Sequence, residues 1–369
     1  MGITSNKPLR IGFLSDHNAF DRNAFSGTVF YMRQALERLG DVHVLGGHKP
    51  IKPGTMAKIG RKLRGKRALK ITSSSLDDLD VIIAPVATAL ILRSLDQISV
   101  PVIAITDATP KFLEDFYGKD VPQAAHTAEA RMIDAVDRIV YSSHFMADLA
   151  RTEFADVIGS KTDVVPFGVN LDTIPAEIPQ KPNLDRLELL FIGQDWERKG
   201  GDIAIETLDI LRKRGVSAQL TTIGASGAEG HDGVASLGYL NKNDPGEMSV
   251  FSEALRKAHL LIFPTRADCT PMVIAEANAY GCPVLVTQTG GIGSLVSNEV
   301  NGQMLPYEAQ AAEYADAVQE ICKSSDHYLG LSRSSFDYCR THLTWDAWAN
   351  AMQDVIERTL AKTLEKSYN

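Results

Sequence analysis

Cysteine is scarce in this sequence, and the four present, Cys269, Cys282, Cys322 and Cys339, show no close pairing and no metal-ligand spacing. That excludes a disulfide-framed scaffold and a cysteine zinc site, and it fits a reducing compartment. Positive charge is in deficit as well. Lys and Arg number 38 against 46 Asp and Glu, a net charge of -8, which argues against a nucleic-acid partner. No apolar run approaches the length of a membrane-spanning helix, and the opening MGITSNKPLRIGF enters a strand with no signal-peptide core. A cytoplasmic protein is therefore expected, with any membrane contact peripheral. No G-x-G-x-x-G follows the first apolar run, where Ser15-Asp16-His17 stands instead, so a dinucleotide oxidoreductase is disfavoured. No Ser-His-Asp or paired-carboxylate arrangement marks a hydrolase. No motif supplies a metal site: Asp78-Leu79-Asp80 precedes an apolar run instead of following one.

What is present is an alternation. At 369 residues the chain exceeds the size of one growing core, so two domains are expected. Short apolar runs at 9–15, 42–45, 80–85, 102–106 and 138–142 alternate with helical stretches, the pattern of a parallel sheet wrapped by helices. Ligands of such sheets gather at the carboxyl ends of the strands. Asp107 sits at one such end. Gly27 opens a helix after the first strand, where a residue without a side chain lets backbone approach a phosphate. A Pro-marked linker, 172–186, separates this series from a second one: a strand at 187–193, a helix at 202–214, strands at 218–224 and 234–238, and a helix at 252–258. The end, 344–364, carries Trp345, Trp348, Met352, Val355, Ile356 and Leu360 at helical spacing. One segment stands apart. Residues 49–70 hold nine of the 38 basic residues and no acid, leaving 29 to face the 46 acids elsewhere. Its interrupted apolar side predicts a basic amphipathic segment suited to an anionic membrane, a solvated connecting helix being the plainer reading.

The most informative stretch is 263–293, FPTRADCTPMVIAEANAYGCPVLVTQTGGIG. It reads as a strand end, an acidic loop, a helix from Met272 closed by Gly281, and a strand entering a Gly-Gly turn. Asp268 in the loop and Glu276 on the helix are separated by seven residues. Amides at the helix start suit an anion, and the two carboxylates suit hydroxyl groups, a combination matched to a phosphorylated sugar. After the strand ending at Gly193 comes Glu197-Arg198-Lys199-Gly200, which places fixed positive charge at the mouth of the second sheet.

This string resembles the signature of the large retaining glycosyltransferase family of GT-B fold (glycosyl transferases group 1), to which many mannosyl- and glucosyltransferases of cell-envelope assembly belong. The signature is an acid, seven residues, a Glu, Ala, three residues, Gly, one residue, Pro, and a small apolar strand ending near Gly-Gly. The resemblance implies an α/β protein of two facing Rossmann-like domains, an acceptor-binding one at 1–171 and a nucleotide-sugar-binding one at 172–343. Residues 344–369 are then a helix crossing back to brace the first domain. It implies a retaining, metal-independent hexosyltransferase without cofactor. A hexose would move from UDP- or GDP-hexose to a hydroxyl of a glycan or lipid-linked acceptor, at the cytoplasmic side of the cell envelope. The alternative is a catalytically silent nucleotide-sugar-binding scaffold of the same fold.

Residue by residue, Lys199 matches the family's phosphate-binding lysine, and Glu276 the carboxylate that accepts the ribose hydroxyls. Gly27 matches half of a Gly-Gly pair. The amides of Met272 and Val273 are expected diphosphate ligands and Thr270 an expected donor contact, although Thr270-Pro271-Met272 stands where the family usually has Phe-Gly-Leu. The chain departs from the pattern at Asp107 (usually His), Gln194 (usually Arg), Asp268 (usually Glu) and Pro271, which has no N–H to give. Arg198 is expected to supply the charge missing at Gln194. Lys199, Arg198, Asp268 and Asp107 are thus the catalytic candidates.

Overall fold

The computed structural model describes residues 7–46, 76, 78–224 and 227–368. The basic segment 49–70, with its expected membrane contact, lies outside the described residues.

Among the described residues twelve strands form two six-stranded sheets. The first holds β1 (Leu9–Phe13), β2 (Gly40–Val44), β3 (Val81–Pro85), β4 (Val102–Thr106), β5 (Arg138–Tyr141) and β6 (Thr162–Val164), in the order β2-β1-β3-β4-β5-β6. The second holds β7 (Leu187–Gly193), β8 (Ala218–Gly224), β9 (Val234–Ser236), β10 (Leu260–Phe263), β11 (Val284–Thr287) and β12 (Gly302–Leu305), in the order β12-β11-β10-β7-β8-β9. Every neighbouring pair is parallel. Parallel strands need crossover helices, which cover both faces, so the strands read as near-continuous apolar runs. The two-residue period then divides each strand between two cores. Ile11, Phe13, Val81 and Ile83 enter one cluster, and Leu14, Ile82 and Ala84 the opposite one. In the second sheet Leu190 and Ile192 face one cluster while Leu189 and Phe191 face the other.

The chain reverses direction once in each sheet. In the first sheet β1 lies between β2 and β3, and in the second β7 lies between β8 and β10. The loops leaving the carboxyl ends of β1 and β3, and of β7 and β10, therefore diverge and leave a crevice.

The final helix, Trp345–Tyr368, crosses back as expected: Trp345, Trp348, Met352, Val355 and Ile356 share one buried cluster with Ile11, Val29 and Met32 of the first domain. One expectation is corrected. The helix read at 252–258 begins at Pro245, because Asp244 accepts from the amides of Gly246 and Glu247 and proline occupies the first turn. Past β6, which ends at Val164, the chain runs on without a strand or helix to Asn170. There Gly168 passes so close to the final helix that a Cβ would lie 2.3 Å from the Trp345 nitrogen, so this stretch serves as a seat for that helix.

Trp348 is 1% exposed. Replacing it with alanine should destabilise the protein by about 3–5 kcal/mol in urea unfolding; a loss below about 1 kcal/mol would mean the helix does not brace the first domain.

Candidate functional site

A cleft of about 320 Å³ opens between the two sheets at the crevice beside β7 and β10. Its floor is made by two loops that approach closely. The loop after β7 turns through Gly200 (φ +76°), where a Cβ would sit 2.2 Å from the Pro264 carbonyl oxygen, so only glycine permits this contact. Asp195 caps the short helix Trp196–Lys199 by accepting from the Arg198 amide. The cap presents Arg198 and Lys199 on successive positions. Lys199 donates from Nζ to Oδ2 of Asp268 and stands 5.1 Å above the Phe263 ring. Both partners are largely buried, with side chains 15% and 7% exposed, so each compensates a charge that would otherwise be costly. Arg198 donates to Asp195 Oδ2 and to the Ala267 carbonyl, both at 2.9 Å, and its guanidinium lies 4.4 Å over the ring of Tyr117.

Glu276 occupies the helix Met272–Asn278 and is 1% exposed at its side chain. Its partner is Lys242, which donates to Oε1 and sits 4.9 Å over the Phe251 ring. Nothing in the spacing of the sequence singles out Lys242. It comes from a polar loop in the other half of the second sheet, 34 positions away. The Lys242 amide in turn donates to Oδ1 of Asn23 in the first domain, at 2.9 Å.

The first domain supplies the opposite wall. Asn23 donates to Asn241 Oδ1 at 2.6 Å, Asn243 donates to Asp21 Oδ1 at 2.8 Å, and the Arg22 amide donates to Asn243 Oδ1 at 3.1 Å. This interlock closes one flank of the cleft. Beyond it Phe25, Ser26 and Gly27 take left-handed backbone in succession, with φ of 52°, 56° and 92°. Asn170 secures that strained turn by donating to the Ser26 carbonyl and to Thr28 Oγ1, both at 3.0 Å, and accepts from Trp345 Nε1 at 3.2 Å.

The other flank is a wedge. Cys269 and Met272 bury their side chains in the two cores of the first domain, Ser142 and Thr270 hydroxyls meet at 2.5 Å, and Tyr117 Oη lies 3.4 Å from Cys269 Sγ. The Gly290-Gly291 turn presses on the wedge from behind. A Cβ on Gly291 would fall 1.8 Å from the Cys269 carbonyl oxygen, and the Gly291 amide donates to the Asp268 carbonyl at 3.0 Å.

Asp107 follows β4, held between a turn in which Thr106 Oγ1 donates to the Ala108 carbonyl at 3.0 Å and the cap that Thr109 places on the next helix. Burial first, and the Asp268 carboxylate second, push its carboxyl up to about 7.

The cleft lining contains Gln194, Arg198, Lys199, Asp268, Thr270, Met272, Val273, Glu276 and Asp107. Gly27 is not among the lining residues, although Ser26 and Thr28 beside it are. The backbone of Met272 and Val273 opens an uncapped helix on the cleft, whereas the Met272 side chain belongs to the domain interface. Asp16 and His17 do not line it. Asp78 and Asp80 are both engaged with Arg10, at 2.8 Å to its guanidinium and 2.7 Å to its amide. Among the described residues no cluster of three or more His, Cys, Asp or Glu is arranged to hold a metal ion, and no helix is long and apolar enough to cross a membrane.

Residues 186–324 match the family model described as Glycosyl transferases group 1. The curated D-inositol 3-phosphate glycosyltransferase of Xylanimonas cellulosilytica is 27% identical over 255 residues, which cover 63% of this chain and 60% of that protein. The chain thus matches less than two thirds of that relative's length. The fold as a whole is similar to sucrose-phosphate synthase from Thermosynechococcus elongatus (TM-score 0.69, 18% identity, 96% of this chain and 100% of that one). It is also similar to Anabaena Alr3699/HepE, solved in complex with UDP and glucose (TM-score 0.62, 13% identity, 95% and 100%). These likenesses bear out the GT-B architecture of two facing sheets.

The raised carboxyl of Asp107 has a stability consequence. Because the fold favours its protonated form, that contribution is complete below about pH 4 and is lost as pH rises through about 7. Asp107→Asn, which mimics the neutral form, should therefore gain stability relative to the parent between pH 4 and 7 and hold the gain above. Thermal unfolding at pH 5 and pH 8 checks this; a difference independent of pH would contradict the assignment.

Proposed function

We propose, for a chain whose residues 186–324 match the group 1 glycosyl transferases and whose two sheets form the GT-B fold, that the cleft binds a nucleotide diphosphate sugar and transfers its hexose to an acceptor hydroxyl. The observation that carries this reading is the convergence, in one cleft, of the Lys199–Asp268 and Lys242–Glu276 pairs with Arg198. The loop after β7 supplies cations where a diphosphate leaving group gathers charge. The loop and helix after β10 supply carboxylates where a sugar and a ribose present hydroxyls.

In this reading Glu276 accepts the two ribose hydroxyls, a charge-assisted bidentate arrangement, and the Lys242 ammonium compensates its buried charge before the ligand arrives. Lys199 and Arg198 receive the diphosphate, joined by the first amides of the helix at Met272 and Val273. Thr270 and Gln194 flank the same ligand, and Gly27 gives the turn after β1 one position without a side chain, between the lining residues Ser26 and Thr28. Asp268 orients the sugar. The acceptor hydroxyl oxygen forms a bond to the anomeric carbon while the bond from that carbon to the phosphate oxygen breaks, its electron pair leaving with the nucleoside diphosphate. The acceptor proton passes to the departing phosphate on the same face, which retains the configuration. The residues named meet every charge in that step, so the reading calls for no metal and no cofactor. The donor is a UDP- or GDP-hexose, the acceptor a glycan or lipid-linked hydroxyl in envelope glycoconjugate synthesis, and the site of action the cytoplasm or the inner face of its membrane.

Lys199→Ala should lower kcat by about 10²- to 10³-fold, the usual effect of losing one donor that stabilises developing charge. Glu276→Gln should chiefly weaken nucleotide binding. The parent and both variants are compared by turnover of a nucleotide-sugar panel, with thermal unfolding to establish that each variant is folded. Near-normal turnover in folded Lys199→Ala refutes the reading. Donor binding without turnover in the parent favours the rival, a catalytically silent nucleotide-sugar-binding scaffold.

A further inference from the structure

A second cavity, of about 420 Å³, lies in the first domain and shares Phe25, Asp107 and Tyr117 with the donor cleft. It sits at the carboxyl ends of β3 and β4, beside the crevice where the first sheet reverses direction, which is where open parallel sheets place their ligands. Its walls are strained. Four described residues other than glycine have positive φ, and two of them, Phe25 at 52° and Val86 at 49°, line this cavity. For a β-branched residue this backbone is a genuine outlier, held here by the Val86 amide donating to the Ile105 carbonyl at 2.9 Å.

The chemistry of the lining is selective. Most of it is apolar, with Ile91, Leu113 and Met132 among its side chains. Two carboxylates line it, Asp107 and Glu129. Glu129 is 9% exposed and accepts from Thr88 Oγ1 at 2.7 Å. Lys119 is the one cation among the described lining residues, and its ammonium lies 5.7 Å over the Tyr117 ring. A phosphorylated acceptor needs paired or bidentate cations and would instead face two carboxylates.

Resting on the transferase reading, we propose that this cavity is the acceptor subsite and takes an uncharged alcohol with an apolar body. The alcohol would present its reacting hydroxyl beside Asp107 and a second hydrogen-bond donor to Glu129. Val86, Met132 and Glu129 are then the residues that set acceptor specificity. The proton of the reacting hydroxyl follows the path given above, so Asp107 positions the hydroxyl and undergoes no net change.

The test uses the full chain and the nucleotide sugar that the panel identifies. Three acceptors are compared: an octyl glycoside, the corresponding free sugar, and that sugar's 6-phosphate. The octyl glycoside should have at least tenfold higher kcat/KM than the free sugar, and the 6-phosphate should be the poorest of the three. Met132→Trp, which fills the cavity, should raise the KM for the octyl glycoside at least tenfold, while the stabilisation by nucleoside diphosphate seen in thermal shift persists. Met132→Leu should restore the KM. Glu129→Gln should raise the acceptor KM more than it lowers kcat. A preference for the 6-phosphate, or a Met132→Trp variant that binds nucleotide with an unaltered acceptor KM, overturns the acceptor assignment and leaves the donor reading standing. Failure of every nucleotide sugar to bind or turn over defeats both.

Discussion

The buried contact between Lys199 and Asp268 is the constraint on which the rest of the molecule depends. A carboxylate taken out of water next to a second one, Asp107, is tolerable only with a cation fixed beside it. Fixing that cation requires the capped turn after β7, the left-handed Gly200 and the close passage of Pro264, and so holds the loop after β7 against the loop after β10. The second pair, Lys242 with Glu276, repeats the solution one helix away, and its lysine is tied through its amide to the first domain. Charge compensation at the floor of the cleft is thereby coupled to the closeness of the two domains.

That closeness is built from two dissimilar flanks. On one side, short amides and a carboxylate of residues 21–23 and 241–243 interlock, contacts that water can replace at modest cost. On the other side, Cys269 and Met272 are buried in first-domain cores and are backed by a Gly-Gly turn that leaves no room for a Cβ. Apolar burial of this kind is the costlier to undo. The polar flank is the side that carries Lys242.

Much of the architecture was legible in the sequence because parallel strands buried on both faces leave continuous apolar runs, and because the runs at 9–15, 80–85, 102–106 and 187–193 are bounded by clear breaks. The crossing-back helix was legible from its tryptophan and methionine spacing. Element boundaries were less so: Asp244-Pro245 is a helix start by local chemistry, yet it lies outside the apolar period used to find the helix. In the cleft, Asp268 and Glu276 are legible through a motif with fixed spacing, and Lys199 through its place after the strand ending at Gly193 and before Gly200. Lys242, Tyr117, Phe25 and Asn170 carry no such spacing, and Val86, with its unfavourable backbone, is indistinguishable in the sequence from any strand valine.

The sequence by itself determined the class of fold, the division into two sheets and the group of residues after β7 and β10, since these follow from periodicity, breakers and local charge. Only the tertiary structure decided which cation meets which carboxylate, that residues 269–272 serve as a wedge between domains, and that burial pushes the Asp107 carboxyl above the ordinary aspartate range. Those outcomes depend on desolvation and on contacts between residues distant along the chain, neither of which is a property of any local stretch.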